Sequence, residues 1–194
     1  MRSLFKRTAN VICLALMLPF WLLVKLGSVM MIADEAFLLL AHVCAVLPGK
    51  LGEYVRRAYY QWTLRKVGRD LVVGFGSFFT SRDVELASKV WIGQYTILGA
   101  CRIGSGVLIS DQVSILTGRH QHRRETSGKL VVDTGRKVTN TIGDDSWIGA
   151  GAVVMADIGA QCVVGAGAVL VTACSDGNTV VGVPARVVKQ TDEV

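Results

Sequence analysis

The sequence predicts an all-β fold, a parallel β-helix of six-residue repeats, with a hydrophobic helical hairpin ahead of it. Three observations carry that expectation. From residue 84 onward an aliphatic residue recurs about every six positions, usually with glycine directly after it. Before residue 50 the apolar residues fall in two runs instead of a repeat. The net charge of +6 is confined to one end: residues 1–70 hold 10 Lys/Arg against 4 Asp/Glu, and residues 71–194 hold 11 of each.

Composition removes other classes. With 51% apolar and 19% charged residues among 194, the chain is too apolar for intrinsic disorder. Its 21 glycines do not recur every third residue, which excludes collagen. Five cysteines (13, 44, 101, 162 and 174) are odd in number and form no C-x-x-C pair. Neither a zinc ribbon nor a disulfide scaffold is therefore expected, and a reducing compartment fits.

The first third reads as a membrane attachment. After Arg2, Lys6 and Arg7, residues 11–32 are apolar apart from Lys25, Ser28 and glycine. At 1.5 Å per residue such a run matches a bilayer core of roughly 30 Å, with a kink expected at Pro19. Residues 36–47 form a second run, about 18 Å as helix and too short to span, ended by Pro48-Gly49. Basic residues lie on both flanks, with Lys50, Arg56, Arg57, Arg65, Lys66 and Arg69 after the second run and Asp34 and Glu35 between the two. That favours a hairpin entering and returning on the cytoplasmic side, re-entrant or interfacial because its second leg is short. Residues 54–67 mix Tyr54, Tyr59, Tyr60 and Trp62 with Arg and Lys, as expected of a helix at the headgroups. Two other readings compete. A cleavable signal peptide is opposed by the poor cleavage site Ala33-Asp-Glu-Ala36 and by the second run; the other is a soluble helical pair packed on a neighbouring subunit. The expected division is 1–70 membrane-associating helical segment, 71–190 β-helix domain with an extended loop at 117–140, and 191–194 tail.

The repeat anchors are Ile92, Leu98, Ile103, Ile109 and Ile115; Ile142, Ile148 and Val154; then Ile158, Val164 and Leu170. Thr96, Val107, Val113, Ser146, Ala152 and Ala168 sit four residues after an anchor. A six-residue period makes one coil of three short strands, with anchors stacking from coil to coil. The glycine after an anchor is expected to supply a positive φ at the corner. Shorter steps from 98 to 103 and from 154 to 158 predict shortened coils.

The blocks Ile142-Gly-Asp-Asp-Ser-Trp-Ile-Gly-Ala-Gly-Ala-Val, Val164-Gly-Ala-Gly-Ala-Val and Val181-Gly-Val-Pro-Ala-Arg-Val-Val resemble the hexapeptide-repeat acyltransferases. Within that superfamily the chain resembles sugar O-acetyltransferases of the galactoside/maltose and polysaccharide-biosynthesis type, over about residues 70–190. The resemblance implies a left-handed coil, a homotrimer, and acetyl-CoA bound in grooves between subunits. It also implies a catalytic histidine at the start of the long loop. Carried over, that is His120 in Leu116-Thr-Gly-Arg-His-Gln-His-Arg-Arg124, with His122 second. The resemblance points to Trp147, Ala150 and Ala166 for the donor, and to Arg186 and Lys189 for the CoA phosphates. One departure is Val171-Thr-Ala-Cys-Ser-Asp-Gly, where the family has Thr-Lys-Asp-Val-Pro; a lysine contact to CoA is missing or replaced.

Acetyl transfer from a thioester to an alcohol needs a base with pKa near neutrality, which suits histidine. The chain has only His42, His120 and His122, and His42 lies in the second apolar run, where a structural or interfacial role is expected. Asp111, Glu125 and Asp133 are candidates to orient the base, and the sequence does not choose among them. Backbone N–H groups suffice for the oxyanion. Cys101 and Cys162 fall in the repeat and are expected to fill its core or corners. Residues 117–140 carry a balance of +4, suited to a phosphorylated acceptor such as a lipid-linked or nucleotide-linked sugar, or simply a solvated loop. Nucleic acid is a poor candidate, because aromatic residues are not interleaved with these charges. No metal is expected: a zinc carbonic anhydrase needs three histidines, and only two lie outside the apolar run.

The leading expectation is an acetyl-CoA-dependent O-acetyltransferase acting on a saccharide, in exopolysaccharide or lipopolysaccharide biosynthesis, at the cytoplasmic face of the cell membrane. An amino-sugar or serine N/O-acetyltransferase is the alternative within the enzymes. A non-catalytic β-helix scaffold at the membrane is the alternative outside them.

Overall fold

The structure is a computed structural model that describes residues 2–29, 33–117, 126–127, 129 and 139–189. From Lys66 onward the chain winds into a prism with three faces, each a sheet of short strands stacked coil on coil. Face A contains β1 (Lys66–Val67), β4 (Glu85–Leu86), β7 (Cys101–Ile103) and β10 (Asn140–Ile142). Face B contains β2 (Val72–Val73), β5 (Trp91–Ile92), β8 (Leu108–Ile109), β11 (Trp147–Ile148), β13 (Val163–Val164), β15 (Thr179–Val181) and β16 (Arg186–Lys189). Face C contains β3 (Phe78–Phe79), β6 (Ile97–Leu98), β9 (Ser114–Ile115), β12 (Val153–Val154) and β14 (Val169–Leu170). Neighbouring strands are parallel except for β15 and β16, which end the solenoid as an antiparallel pair.

The anchors behave as their spacing requires. All eleven are buried, none more than 3% exposed, and each stacks on the anchor one coil away, as in the register Ile92↔Ile109, Ile109↔Ile148, Ile148↔Val164. The small residues four positions later are buried too, and the hydroxyls among them bridge coils: Ser146 Oγ donates to the Gly159 carbonyl at 2.8 Å and accepts from the Cys162 amide at 3.0 Å. The solenoid begins one coil earlier than the repeat suggests, with Val73 and Phe79 paired under Ile92 and Leu98.

The glycine expectation needs correction. Those directly after an anchor, such as Gly93, Gly149 and Gly165, are not the positive-φ residues. That conformation falls two positions later, at Tyr95 (54°), Gly151 (70°) and Gly167 (68°). Glycine follows the anchor because the next coil presses against it: a Cβ on Gly149 would stand 2.5 Å from the Ala166 amide nitrogen. Close stacking at about 4.8 Å per coil leaves no room for a side chain there.

An all-β description does not fit the chain. Three helices precede the solenoid: α1 (Arg2–Val29), which continues through Pro19, α2 (Ala33–Ala45) and α3 (Gly49–Thr63). They contact one another, and α2 and α3 close the first coil. Part of the segment 54–67 turns inward on α3. Tyr59 and Tyr60 of α3 are at most 1% exposed, with the Tyr60 ring 4.8 Å from Phe79 and the Tyr59 hydroxyl donating to the Phe37 carbonyl at 2.7 Å. Arg56 is buried with them. Its Nε donates to the Val73 carbonyl at 2.9 Å and its Nη1 to the Leu47 carbonyl at 2.7 Å and the Cys44 carbonyl at 3.2 Å. One guanidinium thus joins the carbonyl end of α2, where the helix dipole favours a cation, to the first coil. Among the described residues, no helix is long and apolar enough to cross a membrane.

Candidate functional site

The three corners of the prism are built alike but finished differently. Corner amides point along the solenoid axis, out of the sheet ladders, so each needs an acceptor of its own. At the A–B corner side chains from the following coil supply it for every second amide, while the Ser88 and Asp144 amides between them have no acceptor among the described residues. Ser88 Oγ accepts from the Arg69 amide at 3.2 Å, Asp144 Oδ1 from Ser105 at 2.6 Å, and Asp176 Oδ1 from Ala160 at 3.0 Å. Asp157 does the same for the Thr141 amide on the C–A side, at 2.7 Å.

At the B–C corner this support stops halfway. Asp111 Oδ1 accepts from the Gln94 amide at 2.6 Å, so this candidate for orienting a base serves the coil before it. The next corner residues down the column are Ala150, Ala166 and Gly182, and none has a side chain that can accept. The Asp111, Ala150 and Ala166 amides consequently have no acceptor among the described residues. The corner itself is tightly bonded, with Gly167 N donating to the Ala150 carbonyl at 2.8 Å and Gly151 N to the Asp111 carbonyl at 3.0 Å. Outward it is open: Ala150 and Ala166 are exposed, and a Cβ on Gly167 would meet nothing within 4 Å. The result is a bare edge two coils long with free amide donors. A slender, apolar chain bearing carbonyl acceptors fits it.

Trp147 borders this edge. It is 52% exposed on face B, between Leu108 and Val163 in register, and its Nε1 donates to Ser110 Oγ at 3.1 Å, so the indole leans toward the corner. Ser110 was not marked in the sequence; its place one coil before the tryptophan, beside a corner, is the signal that would have found it. Arg186 lies further along face B, paired with Val181, with its side chain exposed and Nη1 donating to the Ala185 carbonyl at 2.9 Å. The Lys189 backbone pairs with Thr179 in the same ladder. The structure therefore brings Trp147, Ala150, Ala166, Arg186 and the Lys189 strand together on face B and its edge with face C.

His120 and His122 lie outside the described residues, as do Glu125 and Asp133. What is described is the stem of their segment. The chain leaves face C after β9 and rejoins face A at β10, where the buried Asn140 donates through Nδ2 to the Leu116 carbonyl and ties the two ends together. Beside that return, face A has a depression of about 400 Å³ lined by Glu85, Arg102, Thr141 and Asp144 among others. The third histidine, His42, sits on α2 with its ring centre 4.5 Å from that of Phe78 and the two rings edge to face, a packing contact.

The cysteines are core residues. Cys101 and Cys162 are 0% exposed, and burial pushes the Cys101 thiol up to about 12, so it carries almost no thiolate at neutral pH. Cys174 is the anchor below Ile158, which accounts for the departure at 171–177: the chain there continues the solenoid for another coil. Among the described residues no three His, Cys, Asp or Glu side chains are grouped to hold a metal ion.

No protein-family model matches the chain. It is 33% identical over 132 residues to a serine acetyltransferase of Bacillus subtilis (strain 168), covering 62% of this chain and 54% of the relative. The chain spans little more than half the length of the curated relatives it matches. Among solved structures, a maltose O-acetyltransferase from Clostridium difficile 630 superposes with a TM-score of 0.68 at 21% identity, over 82% of this chain and 87% of that one. An N-acyltransferase from Bacillus cereus, solved with dTDP and 3-hydroxybutyryl-CoA, superposes with a TM-score of 0.50 at 16% identity, over 67% and 85%. At these identities the structural likeness is one of fold.

Proposed function

We propose that this chain, which has the hexapeptide-repeat left-handed β-helix fold, is an acetyl-CoA-dependent O-acetyltransferase. Its acceptor in this reading is a saccharide hydroxyl, in exopolysaccharide or lipopolysaccharide biosynthesis, at the cytoplasmic face of the cell membrane. The observation that supports the reading most is the bare B–C edge, where the Ala150 and Ala166 amides lack acceptors. The pantetheine arm of CoA is a slender chain with two amide carbonyls, and such an edge can receive both. Trp147 would flank the arm, and Arg186 and Lys189 would face the phosphates through charge-assisted hydrogen bonds.

In the proposed reaction His120 takes the proton from the acceptor hydroxyl as its oxygen attacks the thioester carbonyl. The new C–O bond forms, the C–S bond breaks, and the proton passes to the departing CoA sulfur. His122 is the second candidate for the base. No acyl-enzyme is needed, and the burial of Cys101 and Cys162 speaks against one.

A homotrimer belongs to this proposal for a geometric reason. The segment carrying the histidines leaves at the C–A corner, while the bare edge lies at the B–C corner, so face C separates them within one protomer. A loop reaching the neighbouring copy's edge would close that gap.

The curated relatives are named serine acetyltransferases, which favours a second reading with serine or an amino sugar as acceptor. Thiol release from acetyl-CoA, followed with free and phosphorylated saccharides, amino sugars and L-serine, separates the two. The proposal expects saccharide-dependent release; release with L-serine alone selects the second reading, and none with any acceptor leaves the scaffold.

A further inference from the structure

We propose that the helical cap seats this protein on an anionic lipid bilayer, lying along its surface without crossing it. Helix α1 is apolar on two sides. Its inner side is held by α3: Trp62 Nε1 donates to the Leu14 carbonyl at 3.1 Å, the Trp21 and Trp62 rings are 5.3 Å apart, and Cys13 is buried. Its outer side has no such partner among the described residues. Leu16, Leu22 and Leu26 are 61%, 53% and 60% exposed, and on α2 Leu39, Val43 and Val46 are 65%, 51% and 64% exposed. Large apolar side chains left in water over two adjoining helices mark a surface made to be covered.

Charge selects what covers it. Residues 1–70 carry ten cations, of which Arg56 is buried, against four carboxylates, and two of those carboxylates are already paired: Asp34 with Arg82 at 3.0 Å and Glu53 with Lys50, itself one of the ten, at 2.8 Å. A second cap, equally basic, would bring like charge against like charge. An anionic headgroup layer meets the basic excess while its acyl region covers the leucines, the two attractions that hold interfacial helices. Lys25 lies 5.6 Å from the Trp21 ring at the end of α1, an aromatic–cation arrangement suited to headgroup depth. Because α1 is tied to α3 and α3 to the first coil, the cap is presented as a fixed surface and not as a free tail. The inference does not depend on what the solenoid catalyses.

The test is co-flotation of the full chain with phosphatidylcholine vesicles, with and without phosphatidylglycerol, for the wild type and for Leu16→Gln/Leu22→Gln. Both leucines are exposed, so thermal unfolding should stay unchanged in the variant and certify its fold. The expected result is at least tenfold more protein floating with the anionic vesicles than with the neutral ones, reduced by added salt and lost in the variant. Wild-type protein that fails to float with anionic vesicles would overturn the proposal. So would a variant that floats equally well, or one that changes only the oligomeric state in light scattering.

Discussion

The A–B and B–C corners of the solenoid follow the same backbone path, with a glycine pressed against the next coil and a left-handed residue two positions on. They differ in what the following coil offers. At the A–B corner Ser88, Asp144 and Asp176 turn back to cap amides of the coil before. At the B–C corner that role ends with Asp111, and Ala150, Ala166 and Gly182 follow. The difference teaches that a site can be made by omission: at the A–B corner capped and bare amides alternate, whereas beside Trp147 the Asp111, Ala150 and Ala166 amides follow one another with no acceptor among the described residues.

Substitutions can break or sharpen that contrast. The largest effect expected is outside both corners, since in the proposed reading the edge holds the donor and the base is His120. His120→Ala should lower turnover by roughly 10²–10⁴-fold while leaving CoA binding intact. Unchanged turnover would move the base to His122. Next, Ala166→Asp should convert the B–C corner into the A–B kind, because residue 166 stands to Ala150 as Asp111 stands to Gln94. The carboxylate would cap the Ala150 amide and occupy the groove. Acetyl-CoA affinity should fall about tenfold or more, equal to about 1.4 kcal/mol, without loss of thermal stability. The smallest effect is the converse: Asp176→Ala uncaps the Ala160 amide and should cost about 1 kcal/mol of stability, read by denaturant unfolding, with acetyl-CoA affinity unchanged.

The solenoid was legible because its cause is local. A core one side chain wide forces an aliphatic anchor every sixth residue, and a one-coil stacking distance forces the glycine. The first coil escaped notice although Val67-Gly68 and Val73-Gly74 carry the same signature. The seven-residue step from Phe79 to Leu86, holding Arg82 and Asp83, breaks the count. The bare edge proposed for the donor was legible only through resemblance, since alanine at a corner means nothing until the residue stacked below it is known. Asp144 and Asp176 were invisible as caps for the same reason: each serves an amide 39 or 16 residues earlier. In the first third the apolar runs are plain in the sequence, but Arg56, Tyr59 and Tyr60 are buried, because the open end of the solenoid offers a core that a sequence read in isolation does not display.

The central claim is that the bare B–C edge receives the donor, and amide hydrogen exchange tests it directly. Adding acetyl-CoA should slow exchange at Ala150 and Ala166 and leave Ala160, already capped by Asp176, unchanged. Binding that protects other segments and leaves Ala150 and Ala166 exchanging as in the free protein would contradict the account.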